Sequence, residues 1–146
     1  MMEVSEMIRS IMSGLAIILI LLPEVLMAQN EEKERSAVAA AEKWLNRVDE
    51  GTYRESWREA AGYFKTAIKQ EQWVESMQAV RKPLGKLVSR KIKSHTYKTS
   101  LPGAPDGGYV VIQFETSFEN KQSAIETVTP MMEKDGKWRV SGYFIK

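Results

Sequence analysis

Cysteine is absent from the 146 residues. That excludes disulfides, thiolate metal sites and thiol nucleophiles, and it leaves export open. Histidine occurs once, at His95. A three-histidine metal centre is therefore impossible, and there is no His-Glu-x-x-His motif. A lone imidazole acts as a general base only beside a partner, and nothing near His95 in sequence supplies one. The chain also lacks a Gly-x-Ser-x-Gly elbow. The glycines of Leu101–Gly108 miss phosphate-loop spacing and its closing Lys-Ser/Thr. No catalytic residue, metal site or cofactor is assigned on this reading.

What is present is a globular composition. Hydrophobic residues make up 43% and charged residues 27%, which argues against disorder. The length suits one domain after removal of an N-terminal signal. Ile11–Leu22 is a nearly unbroken apolar run, shorter than the ~20 residues of a membrane span. Pro23 and the stretch to Leu26-Met27-Ala28 follow, so residues 1–28 resemble a signal peptide cleaved after Ala28. The expected location is periplasmic or secreted. The alternative is an uncleaved helix anchoring the chain in the inner membrane. Met1, Met2 and Met7 all remain possible starts. Without residues 1–28 the chain loses Arg9, Glu3, Glu6 and Glu24, leaving 20 basic and 16 acidic residues. The charges are scattered, and Lys91, Lys93 and Lys98 form the one local basic run. No nucleic-acid-binding motif accompanies them, so nucleic acid is not an expected partner. Membrane contact is expected only through the signal segment.

Residues 29–35 read as a disordered leader, and residues 36–146 as a single domain. Ala37, Val38, Ala41, Trp44, Leu45 and Val48 fall on one helical stripe that Gly51 terminates. Thr52-Tyr53-Arg54-Glu55 has the pattern of a capping box opening a second helix, with Tyr53, Trp57, Ala60, Ala61, Phe64 and Ile68 on its stripe. Trp73, Met77, Val80 and Leu84 mark a third, which Pro83 ends. Leu87–Ser100 reads as a first strand at a sheet edge, its lysines discouraging aggregation. Leu101–Gly108 is a loop, and Tyr109–Ile145 reads as three antiparallel strands. The expected fold class is α+β: three N-terminal helices packed on one face of a curved four-strand antiparallel meander.

Two turns set the expected register. Asp135-Gly136 suggests a two-residue type I′ hairpin pairing Met132 with Arg139 and Val128 with Tyr143. Glu119–Gln122 closes a second hairpin, with Phe114 opposite Thr127 and Glu115 opposite Glu126. One face then collects Val110, Ile112, Phe114, Ile125, Trp138 and Phe144, while Glu115, Glu126, Arg139 and Tyr143 lie on the other.

Ala41-Glu42-Lys43-Trp44-Leu45, Ser56-Trp57, Arg81-Lys82-Pro83-Leu84-Gly85, Leu101-Pro102-Gly103, Glu126-Thr127-Val128-Thr129 and Asp135-Gly136-Lys137-Trp138-Arg139-Val140-Ser141-Gly142-Tyr143 together resemble the bacterial domain of unknown function 4019 family. The resemblance spans roughly Ala37 to Ile145. It implies a small exported protein and transfers no activity, substrate or catalytic residue. The order of elements is also similar to the nuclear transport factor two-like cone fold, which hosts both enzymes and binding modules.

The candidate ligand-binding residues are Glu115, Glu126, Arg139, Tyr143 and Arg90. Two carboxylates directly across strands repel, and need a cation, a shared proton or free solvent between them. Arg139 and Tyr143 share that expected face, and Arg90 reaches it from the first strand. Arg81 and Arg90 each either tie an element to a carboxylate or hold an anionic ligand. The expected function is a non-catalytic module binding an unknown small ligand or envelope protein. The alternative is an enzyme using a cone pocket, with a carboxylate, Tyr143 or His95 as acid/base.

Overall fold

A computed structural model describes the backbone from Val4 to Lys146 and the side chains from Leu22 onward. The helices are α1 (Val4–Asp49), α2 (Tyr53–Glu59), α3 (Gly62–Ala67) and α4 (Gln70–Val80), followed by a 3-10 turn at Lys82–Leu84. The strands are β1 (Leu87–Lys98), β2 (Tyr109–Phe118), β3 (Lys121–Met132) and β4 (Trp138–Ile145). The fold is α+β, and the open antiparallel sheet has the order β1-β2-β3-β4. The chain divides into two units at Glu32–Lys33. In the first, Leu22, Val25, Leu26 and Met27 are exposed. Most of the apolar run behind the signal-peptide expectation lies outside the residues whose side chains are described. Among the described residues, no helix is long and apolar enough to cross a membrane.

In the second unit the α1 stripe is as its spacing predicts. Ala37, Ala41, Trp44, Leu45 and Val48 are all buried. Residues 29–35, expected as a disordered leader, are helical within α1. The expected second helix is two. Ala60 and Ala61 are extended between α2 and α3, which frees the Ala61 N–H to donate to the Val140 carbonyl at 2.8 Å. Both alanines are wholly buried, and the break brings this extended backbone against β4. Thr52 does not cap α2; its hydroxyl donates back to the Arg47 carbonyl at 2.9 Å. In α4, Trp73 and Met77 are buried, whereas Val80, expected on the same stripe, is exposed.

Both hairpins differ from the expected turns, and each difference moves a register. Glu133 pairs with Lys137 across three residues, and the Gly136 N–H donates to the Glu133 carbonyl at 3.0 Å. Gly136 has φ +80° and Asp135 has negative φ, so the type I′ turn is replaced by the three-residue form with one left-handed position. Met132 consequently pairs with Trp138 and Met131 with Arg139. An irregularity at Thr129/Pro130 then restores the expected Val128–Tyr143 pair.

The β2–β3 loop is two residues, Glu119-Asn120, because Phe118 pairs with Lys121. An irregularity between Thr116 and Phe118 gives β3 one extra residue, so the net shift from the expected register is one: Phe114 faces Glu126, and Glu115 faces Ile125. A shift of one residue turns a whole strand over. Ala124, Glu126, Val128 and Pro130 point into the core, while Ile125 points away from it. Phe144, expected inside, is 61% exposed.

Trp44 lies near the centre of the core, with ring centroids 5.4 Å from Tyr143, 5.9 Å from Trp73 and 6.4 Å from Phe64. The buried Ser56 satisfies both indoles. Its carbonyl accepts from Trp44 Nε1 at 2.7 Å, and its hydroxyl oxygen from Trp73 Nε1 at 2.9 Å. Trp138 packs half-buried at the margin of this cluster.

Candidate functional site

Asp49 is the last residue of α1. It stands four residues after Leu45, so the buried stripe of the helix carries its carboxylate inward. Gly51, at φ +78°, then turns the chain away. Arg81 follows α4 and is 3% exposed. It donates through Nη1 to the Gly85 carbonyl at 2.7 Å and through Nη2 to Asp49 Oδ1 at 3.2 Å. Its guanidinium lies 4.3 Å from the Phe118 ring centroid, a cation–π contact.

Arg90, on β1, grips the same Asp49 with both terminal nitrogens, at 2.7 and 2.9 Å. Its Nε donates to Glu126 Oε1 at 2.7 Å. Glu126 is wholly buried. Its Oε1 also accepts from the Thr116 hydroxyl at 2.6 Å, and its Oε2 from the Tyr143 hydroxyl.

The result is a buried line of alternating charge running Arg81, Asp49, Arg90, Glu126, ending in the Tyr143 and Thr116 hydroxyls. It joins the end of α1, the end of α4, and strands β1 to β4. Charges survive in a low-dielectric interior only when paired and hydrogen-bonded, and here two cations meet two anions. Burial works against the Arg90 charge, but the hydrogen bonds it donates to Asp49 and Glu126 outweigh it, and its pKa is raised. Tyr143 is held far above the ordinary phenol range, first by burial and then by the Glu126 charge. It therefore keeps its proton at neutral pH and donates it to Glu126 as a hydrogen bond. Both Glu126 oxygens are occupied by donors, which leaves the carboxylate poorly placed to abstract a proton from anything else.

Of the five predicted site residues, the structure brings together Arg90, Glu126 and Tyr143. It does not bring Glu115 or Arg139 to them. Glu115 is on the opposite face of the sheet, 3.1 Å from the exposed Lys91. The expected Glu115–Glu126 pair does not exist, because the two-residue loop and the irregularity at Thr116/Phe118 together shift the register by one and turn β3 over. Arg139 belongs to a second cluster at the β3–β4 hairpin. It donates to Glu133 at 2.7 Å and to both oxygens of Asp135, at 3.0 and 2.8 Å. The other Glu133 oxygen accepts the Gly62 N–H at 3.0 Å, tying the hairpin to the start of α3.

His95 lies apart from both clusters, its Nδ1 2.6 Å from Glu34 Oε2. Among the described residues, no group of three His, Asp or Glu side chains converges as a metal site. Sequence reasoning missed Asp49 and Thr116. The signal for Asp49 was its place on the Ala41–Leu45 spacing, where an apolar residue would otherwise stand. For Thr116 the signal was its phase with Ile112 and Phe114.

No curated protein and no solved structure matches the chain at a significant level. Residues 40–143 match the family model described as "Protein of unknown function (DUF4019)". That match takes in α1 from Ala40, the remaining helices and nearly all of the sheet, with every member of the buried charged line, so the chain belongs to the DUF4019 family.

Proposed function

We propose that this is an exported cell-envelope protein whose folded unit binds a ligand or protein partner and catalyses no reaction. The observation that carries the non-catalytic part is the saturation of Glu126. The buried carboxylate best suited to acid–base work accepts from Arg90, Thr116 and Tyr143 at once. Such a group serves the fold, and contacts made for function then fall to the surface. Export rests on the apolar run Ile11–Leu22 and on Ala28.

Two measurements test this. N-terminal sequencing of the protein recovered from cell envelopes should begin at Gln29; a full-length chain held in the membrane would overturn the export reading. Native mass spectrometry of the same material should show a retained ligand or partner. Material that retains nothing would sink the binding reading. Turnover of any substrate by the folded protein, abolished in a still-folded Glu126→Gln, would replace it with the enzyme.

A further inference from the structure

The two edges of the sheet are treated differently. At the β4 edge the Val140 carbonyl is taken by the Ala61 N–H, and α3 packs alongside. At the β1 edge the strand runs twelve residues, and all but Arg90 and Tyr97 are exposed. An open edge offers backbone donors and acceptors to an added strand.

One of those donors is already used. The Tyr97 N–H donates to Glu34 Oε1 at 3.0 Å, so a carboxylate from α1 sits on the edge at its Tyr97 end. Lys33 lies over the Tyr97 ring beside it. Among the described residues, the stretch from Leu87 to Ser94 has no such cover. Leu87, Val88 and Ile92 are exposed there. Next to Ile92 a groove of about 210 Å³ runs between strand and helix, lined by Arg35, Val38, Ala39, Glu42, Ile92 and His95.

Charge selects the occupant. Between Lys86 and Lys98 the exposed charged side chains are Lys91, which has Glu115 at 3.1 Å on the outer face, and Lys93, and this stretch of chain carries no acidic residue. A second copy pairing through this edge would set lysines against lysines, which is unfavourable. A strand bearing carboxylates meets the opposite charge. We propose that the free edge of β1, with the neighbouring groove along α1, docks an extended acidic segment of a partner protein as a fifth strand. Apolar side chains of that segment alternate into the groove beside Val38 and Ile92, and its acidic side chains meet Lys91 and Lys93. This rests on the binding-module reading and names the partner's chemistry.

The test uses the full chain and an octapeptide of alternating valine and glutamate, with a valine–lysine octapeptide as its counterpart. Amide NMR should show shifts and slowed hydrogen exchange at Leu87–Ser94, with shifts at Val38 and Glu42. The Lys91→Glu/Lys93→Glu variant should bind the acidic peptide at least about tenfold more weakly and the basic one at least about tenfold more tightly. Both side chains are on an exposed strand, so the variant keeps its fold. No detectable binding of the acidic peptide would overturn the proposal. So would shifts at Val111, Thr127 and Phe144 on the outer sheet face, binding indifferent to charge, or a doubled mass from self-pairing. Envelope-derived material separates the two levels of the argument. If the double variant keeps the ligand that the wild type retains, the edge is wrong and the module stands. If the wild type retains nothing, the module itself fails.

Discussion

Arg90 and Arg139 each hold two carboxylates by hydrogen bonds. Arg90 holds Asp49 and Glu126 at 2.7 to 2.9 Å; Arg139 holds Glu133 and Asp135 at 2.7 to 3.0 Å. The hydrogen-bond geometry is nearly the same, and what differs is water. Side-chain exposure is 10%, 15% and 0% in the first cluster, and 30%, 24% and 47% in the second. Water at the hairpin screens the attraction and solvates whichever partner is left alone. In the core neither happens. The same chemistry therefore holds the architecture together in one place and trims a turn in the other.

The largest expected effect breaks the buried member. Arg90→Met leaves Asp49 and Glu126 without their shared cation, and should cost about 3–5 kcal/mol in urea unfolding. Arg90→Met/Glu126→Leu removes charge from both sides, and should cost less than Arg90→Met alone. If Arg90→Met costs under about 1 kcal/mol, the line of charge is not holding the elements together.

A middle effect comes from Tyr143. Tyr143→Phe keeps the ring against Trp44 and Trp73 but removes one donor from Glu126, for an expected loss of about 1–3 kcal/mol. It also has a pH signature. Burial and then Glu126 raise the Tyr143 pKa above its unfolded value of about 10. Its contribution is thus complete below about pH 10 and is lost as pH rises through the raised folded value. The gap between wild type and Tyr143→Phe should close with alkaline pH. Tyr53 and Tyr109 are also raised by burial and act in both proteins, so they cancel from the comparison. A gap that stays constant to high pH would mean the phenol is solvated.

Why the architecture was legible in the residues and the charged site was not follows from the turns. The α1 stripe is marked by six apolar residues at helical spacing, five of them buried and Val38 partly so, and no other phase buries them. In β3 the two phases are nearly balanced. Ala124, Val128 and Pro130 compete with Ile125, Thr127, Thr129 and Met131, so hydrophobicity does not choose between them. The choice falls to the turn and the irregularity beside it. The Glu119-Asn120 loop is two residues shorter than expected, the extra β3 residue at Thr116/Phe118 gives one back, and the net shift of one places Glu126 inside. Asp135-Gly136 misleads in the same way. Gly136 does take positive φ, as its neighbourhood suggests, but Asp135 does not, and the hairpin gains a residue. Arg90, Glu126 and Tyr143 could be picked out as unusual; their partner Asp49 is 77 residues from Glu126 and is joined to it only through the fold.

The smallest expected effect belongs to the exposed cluster. Arg139→Ala should cost about 0–1 kcal/mol, the range of solvent-exposed ion pairs. Glu133 keeps its bond from the Gly62 N–H in the variant, so the tie between hairpin and α3 persists. Salt sharpens the contrast with Arg90. At 1 M the screening length is about 3 Å, and the Arg139→Ala effect should vanish there while the Arg90→Met effect persists. Acid gives a second handle. The Arg139 hydrogen bond, and next the Lys137 N–H, hold the Asp135 carboxyl below the usual range. The contribution of Asp135 is therefore present above its unfolded value of about 3.9 and is lost as pH falls through the lower folded one. Arg139→Ala should flatten that acid-side slope and leave the alkaline side unchanged. A cost of 3 kcal/mol or more, insensitive to salt, would place the hairpin arginine in an environment as dry as that of Arg90. The distinction between the two clusters would then fall.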